Sequence, residues 1–135
     1  MSTDVSQLRH PGLVGKGRLK EVTTNNHPKI LVVDDIPVNI QLLQAFLATQ
    51  NYKTFIARNG EEALKQVENI DPDLILLDVM MPKMNGFETC RRLKLSEKAK
   101  FTPVIMVTAL NEIESKIKGI EAGADDFISK PFNKL

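Results

Sequence analysis

The sequence has no tryptophan, one tyrosine, one cysteine and two histidines among its 135 residues. A single cysteine excludes an intramolecular disulfide framework and a cysteine-built zinc site. Both histidines, His10 and His27, lie in the first 28 residues. The rest of the chain therefore has no histidine base for a serine or cysteine nucleophile. No apolar run exceeds a few residues, so none reads as a membrane span. The N-terminus lacks the apolar core and cleavage site of a signal peptide. Nor is there an excess of charge. Against 18 Lys and Arg stand 17 Asp and Glu, and the net charge of +1 supplies no bulk field towards nucleic acid or membrane. What these absences leave is a cytoplasmic protein of ordinary globular composition, 42% hydrophobic and 26% charged, with the length of one domain.

The balanced charge conceals a division. Residues 1–29 hold five basic and two acidic residues, and residues 30–135 hold thirteen and fifteen. Pro11, Gly12, Gly15, Gly17 and Pro28 interrupt the first 28 residues, which show no sustained period. They read as a flexible tail or linker. From Lys29 onward the pattern changes. Ile30–Val33, Leu74–Leu77 and Val104–Val107 are short continuous apolar runs, as expected of strands buried on both faces. Lys53–Ile56 and Phe127–Ile128 are weaker strand candidates. Between them, Leu42, Leu43, Phe46 and Leu47, then Ala63, Leu64 and Val67, then Phe87, Cys90 and Leu93, then Ile113, Ile117 and Ile120 recur at helical spacing. Gly123 stands where a helix would end. Strand and helix alternate with short connections, which predicts an α/β fold: a doubly wound parallel sheet with helices on both faces.

Polar residues cluster just after the apolar strands: Asp34 and Asp35 after the first, Asp78 after the third, Thr108 after the fourth and Lys130 after the fifth. In an open α/β sheet those carboxyl ends border one crevice, where ligands bind. Three carboxylates brought together must take up protons or bind a cation. An all-oxygen donor set suits Mg²⁺, which commonly binds through one or two carboxylates and a phosphoryl group. A nucleotide cradle needs a glycine-rich loop after the first strand. The loop there is Asp34-Asp35-Ile36-Pro37, which lacks glycine and repels phosphate. Phosphoryl transfer onto a carboxylate fits the set better. Asp78 would attack phosphorus, Asp35 and Asp78 would hold Mg²⁺, and Thr108 and Lys130 would take the remaining phosphoryl oxygens.

These residues stand in five ordered motifs: Ile30-Leu-Val-Val-Asp-Asp35; Leu76-Leu-Asp-Val-Met-Met-Pro82; Asn85-Gly86-Phe87; Pro103-Val-Ile-Met-Val-Thr-Ala109; and Gly123-Ala-Asp-Asp-Phe-Ile-Ser-Lys-Pro131. From residue 29 to 135 the chain resembles the receiver domain of two-component response regulators. Its Asp34-Asp35-x-Pro37-x-Asn39 opening and its Met80-Met-Pro-x-Met-x-Gly-Phe-Glu-x-Cys90 stretch are similar to receivers attached to diguanylate cyclases or hybrid kinases. The resemblance implies a flavodoxin-like five-stranded sheet of order 2-1-3-4-5. It also implies that Asp78 is the phosphoacceptor, with Asp35 a direct Mg²⁺ ligand, Asp34 acting through water, and the Met80 carbonyl a third protein ligand. Lys130 resembles the phosphoryl-binding lysine, followed by a cis bond to Pro131. Thr108 resembles the switch hydroxyl, Phe127 the coupled switch aromatic, and Ala109 the small residue that lets the aromatic swing inward. Met80 and Leu110, which flank the site in such a fold, would impede the hydrolytic water.

The resemblance implies a signalling phosphoacceptor, not an enzyme with a separate substrate. Its partner would be a histidine kinase or histidine phosphotransfer protein, with no direct contact to nucleic acid or membrane. Three alternatives stand beside it, one being a flavodoxin-like electron carrier, which would share the fold though fold does not carry function. A haloacid dehalogenase-like phosphatase also uses Asp, Thr, Lys and Mg²⁺, but needs a second aspartate where this chain has Met80. A degenerate receiver would act as an interaction module only, against which stands the presence of all five site residues. Such receivers continue past Lys-Pro-Phe into a fifth helix. That helix is largely absent here, so residues 29–135 are expected to form a receiver truncated at the start of its last helix. The chain then reads as a piece of a longer regulator with an output domain beyond the C-terminus. An uncovered sheet face would favour a homodimer.

Overall fold

A computed structural model describes residues 27–81, 83–109 and 113–130, with the side chains of Ala109 and Lys130 outside that description. Nine elements alternate along the described chain: β1 (Lys29–Val33), α1 (Pro37–Thr49), β2 (Lys53–Ala57), α2 (Gly60–Ile70), β3 (Leu74–Asp78), α3 (Gly86–Leu95), β4 (Val104–Ala109), α4 (Ile113–Ala122) and β5 (Asp126–Lys130). All neighbouring strands pair in parallel, in the order β2-β1-β3-β4-β5. The apolar runs are the strands because a parallel sheet covered on both sides leaves no face for polar residues. Every residue of β3 is buried. Among the described residues no helix is long and apolar enough to cross a membrane.

Alternation along the strands divides the core in two. Leu31, Val33, Ile75, Leu77, Val104 and Met106 pack with Ala63, Val67, Cys90, Leu93 and Ala122, which come from α2, α3 and α4. Ile30, Val32, Leu74, Leu76 and Ile105 face the other way, onto Leu43 and Leu47 of α1. Adjacent strand residues thus serve opposite helical layers.

Local chemistry sets the helix ends. Asn59 Oδ1 accepts the Glu62 N–H at 2.8 Å and caps α2, and Asn85 Oδ1 accepts the Glu88 N–H at 3.0 Å and caps α3. Gly123, at φ +101°, closes α4 as its position in the sequence leads one to expect. Its N–H donates to the Ile120 carbonyl at 3.0 Å, and the Ala124 N–H donates to the Gly119 carbonyl at 2.9 Å. That pair of bonds is a Schellman ending, which needs a residue free to adopt the left-handed region.

The isoleucine stripe of α4 departs from the usual meaning of its spacing. Ile113, Ile117 and Ile120 are 73%, 51% and 64% exposed, while Gly119 and Ala122 are buried. A Cβ added at Gly119 would lie 2.6 Å from Phe127 Cε2 and 3.1 Å from Met106 Sδ. The helix approaches the sheet so closely that only small residues fit beneath it, and its large residues turn outward. On α1, too, Leu42 and Phe46 are exposed although Leu43 and Leu47 are buried.

Cys90 is packed in the core, where its Sγ donates to the Ala122 carbonyl at 3.4 Å. Burial pushes its thiol up to about 11, against a partial lowering by Lys94. A free thiol titrates near ~8.5. Between those values the folded chain binds the proton more tightly than the unfolded chain, so this group's contribution to stability is lost as pH rises through the window. Ellman's reagent at pH 8 is expected to leave Cys90 unmodified in the folded chain and to titrate one thiol in denaturant. Rapid reaction without denaturant would contradict this packing.

Candidate functional site

The carboxyl ends of β1 and β3 lie side by side because the two strands pair directly, Val33 opposite Leu77. Asp34 follows β1, its N–H donating to the Ala57 carbonyl at 3.1 Å, which ties the loop to β2. Its carboxylate turns back on the chain. Oδ1 accepts the Ile36 N–H at 3.0 Å, and Oδ2 accepts from Asn39 Nδ2 at 3.2 Å. Asp78 is the last residue of β3 and is buried, 1% exposed.

Asp34, Asp35 and Asp78 each place a carboxylate oxygen within 4.8 Å of the others. At that separation each pair of full charges repels by roughly 3 kcal/mol at an effective dielectric of ~20. Asp35 Oδ1 is buried and has no hydrogen-bond partner among the described residues. Buried acceptors are normally satisfied, so a desolvated oxygen beside two further carboxylates is a donor set prepared for a cation. The residues present therefore fit a hard divalent ion with oxygen ligands.

Thr108 lies on β4, opposite Ser129 of β5. Its side chain is buried, and Oγ1 likewise has no hydrogen-bond partner among the described residues. Lys130 ends β5 opposite Ala109, so the sheet carries its backbone to the same edge. The Lys130 and Ala109 side chains, Leu110 and the bond to Pro131 lie outside the described residues. Phe127, three residues earlier, is partly buried, with its ring against α4 at Gly119. Met80 follows Asp78 by two residues and is 73% exposed at the loop surface.

The loop after β3 is held by close backbone approach. Val79 N–H donates to the Val107 carbonyl at 3.2 Å, and Gly86 N–H donates to the Val79 carbonyl at 2.8 Å. Lys83 turns the chain with φ +68°, an unusual conformation for a residue with a side chain. Sequence reading picks out Gly86 and Asn39 only as parts of motifs, and it does not foresee the bond from Asn39 to Asp34. A neutral polar residue five positions after an aspartate carries no signal of its own without the turn that brings the two together.

Comparison with known proteins supplies the family. Residues 30–135 match the family described as "Response regulator receiver domain". The alkaline phosphatase synthesis transcriptional regulatory protein PhoP of Bacillus subtilis is 49% identical over 105 residues, covering 78% of this chain and 43% of that protein. The response regulator PleD of Caulobacter vibrioides is 46% identical over 107 residues, covering 79% of this chain and 24% of that protein. The chain thus spans less than half the length of these curated relatives. Among solved structures, the receiver domain of a Pseudomonas aeruginosa sensor histidine kinase, with a magnesium ion coordinated in its active site cleft, superposes with a TM-score of 0.74 at 29% identity. That alignment covers 79% of this chain and 88% of that one. The haloacid dehalogenase alternative finds no support among these relatives. A parallel sheet in the order β2-β1-β3-β4-β5, three aspartates gathered at the ends of its first and third strands, and a family match over nearly all of the described residues lead to one conclusion: the chain belongs to the response regulator receiver domain family.

Proposed function

We propose that Asp78 is the phosphoacceptor of this receiver and takes a phosphoryl group from phosphohistidine on a histidine kinase or histidine phosphotransfer protein. The gathering of Asp34, Asp35 and Asp78 within 4.8 Å carries the reading. An Asp78 carboxylate oxygen forms the new bond to phosphorus as the bond from phosphorus to the donor's imidazole nitrogen breaks, and that nitrogen keeps the electron pair. Asp35, Asp78 and the Met80 carbonyl would hold Mg²⁺, with Asp34 acting through water; when bound, the ion would supply positive charge against the phosphoryl oxygens. The magnesium ion in the Pseudomonas receiver supports this assignment.

Thr108 then donates its hydroxyl to a phosphoryl oxygen and the Lys130 ammonium pairs with another. The phosphoryl group adds roughly −1.5 to −2 of charge near neutral pH. Movement of Thr108 vacates space for Phe127, and the surface of α4 and β5 changes with it, a two-state element biased by local charge. This reading places the protein in the cytoplasm, with residues 29–135 as the receiver, residues 1–28 as a tail, and an output domain or second copy as the reader of the switched face.

Incubation with acetyl phosphate tests the proposal. The intact mass is expected to rise by one phosphoryl group with Mg²⁺ and not with a chelator, and hydroxylamine is expected to remove the gain, as it does from acyl phosphates. A gain that needs no divalent ion, or one that resists hydroxylamine, would overturn the assignment.

A further inference from the structure

We propose that Asn39 is a positioning residue for the cation site, acting through Asp34; this deepens the reading above and rests on it. Asp34 is buried, 2% exposed, and both of its carboxylate oxygens are engaged by donors from the start of α1. The Ile36 N–H reaches Oδ1 at 3.0 Å, a bond any residue at position 36 except proline supplies through its backbone. The second bond, 3.2 Å from Asn39 Nδ2 to Oδ2, depends on the side chain at position 39. With one oxygen tied, the carboxylate still pivots. With both tied, its plane is fixed relative to Asp35 and Asp78.

The chemistry of the donor matters as much as its place. From Ile36 to Tyr52 the chain has no charged residue. No side chain of α1 is charged, so that helix offers no cation to Asp34. A lysine or arginine at position 39 would orient Asp34 equally well but would cancel the negative charge that draws a divalent ion. A neutral amide orients the carboxylate and leaves its charge available. Groups that orient a metal site without touching the ion typically contribute ten- to a hundredfold in affinity.

The test is a Mg²⁺ titration of the full chain followed by two-dimensional amide NMR, which reports affinity and fold together. Asn39→Ala is expected to raise the Mg²⁺ Kd about tenfold while the amide spectrum stays that of the folded chain. Asn39→Leu keeps the volume, lacks the donor and carries the same expectation, so a folding defect in one variant leaves the other to decide. In an Asp34→Asn background, the further loss from Asn39→Ala is expected to vanish, because a residue acting through Asp34 has nothing left to orient. An unchanged Kd in the folded variants, or an equal tenfold loss in the Asp34→Asn background, would overturn the proposal. A wild-type chain that binds no Mg²⁺ would instead overturn the cation-site reading on which it rests.

Discussion

Asp78→Asn is expected to abolish labelling by acetyl phosphate or phosphohistidine, lowering it by at least about a hundredfold, since loss of a nucleophile costs several orders of magnitude in rate. The substitution is nearly isosteric at a buried position, 1% exposed at the end of β3. It leaves the strand pairing of Asp78 with Val107 untouched, because that register is backbone work. What it removes is a carboxylate oxygen able to form an acyl phosphate; an amide oxygen is a poor nucleophile toward phosphorus. Far-UV circular dichroism should therefore match the parent while the mass gain disappears. Asp34 and Asp35 are also carboxylates in the same cluster. If either accepted the group, labelling would persist in Asp78→Asn, and peptide mapping of the modified chain would show where. Persistent labelling at any carboxylate would overturn the role given to Asp78.

The second large effect is expected at Gly86. A Cβ there would lie 2.3 Å from the Asp78 carbonyl oxygen and 2.7 Å from Val79 Cα. Both are backbone atoms held by the sheet and by the Gly86 N–H bond to the Val79 carbonyl at 2.8 Å, so neither can step aside. Gly86→Ala should destabilise the fold by about 2–3 kcal/mol, the upper part of the range for overpacking, outweighing the ~1 kcal/mol by which alanine is preferred over glycine within helices. Gly60 makes a useful contrast. Its added Cβ meets Thr89 Oγ1 at 2.2 Å, a buried side-chain atom whose displacement costs its bond to the Asn85 carbonyl at 2.9 Å but moves no backbone. Urea unfolding should rank Gly86→Ala well below Gly60→Ala in midpoint. Because the strain at residue 86 falls on the carbonyl of Asp78 itself, phosphoryl labelling should fall with it. A Gly86→Ala midpoint equal to that of the parent would show that the close approach at Gly86 has no energetic consequence.

Much of this architecture is legible in the chain before any coordinates. Strands β1, β3 and β4 announce themselves because burial on both faces demands uninterrupted apolar residues. The aspartates stand out because polar residues that interrupt such runs at strand ends are placed by topology at one edge of the sheet. The helices are legible as helices, yet their facing is not. Ile113, Ile117 and Ile120 have the spacing of a core stripe and lie in solvent, since the ring of Phe127 and the sulfur of Met106 press close enough to admit only Gly119 and Ala122. Periodicity reports that a face exists; what packs against it decides whether that face is buried.

The site divides in the same way. Residue types and order alone mark Asp34, Asp35, Asp78, Thr108 and Lys130 as one set, because each follows a strand whose identity is written in local hydrophobicity. Which carboxylate oxygens are engaged by donors is a matter of ångströms between groups that the turn brings together, and only the folded chain determines it. The bond from Asn39 that orients Asp34, and the seating of Gly86 against the backbone of Asp78, both arise where the chain turns back on itself. Linear sequence specified the elements and the reactive groups through burial and order. Tertiary structure decided helix facing, carboxylate orientation and backbone clearance, because each depends on the distance between atoms that sequence separation does not encode.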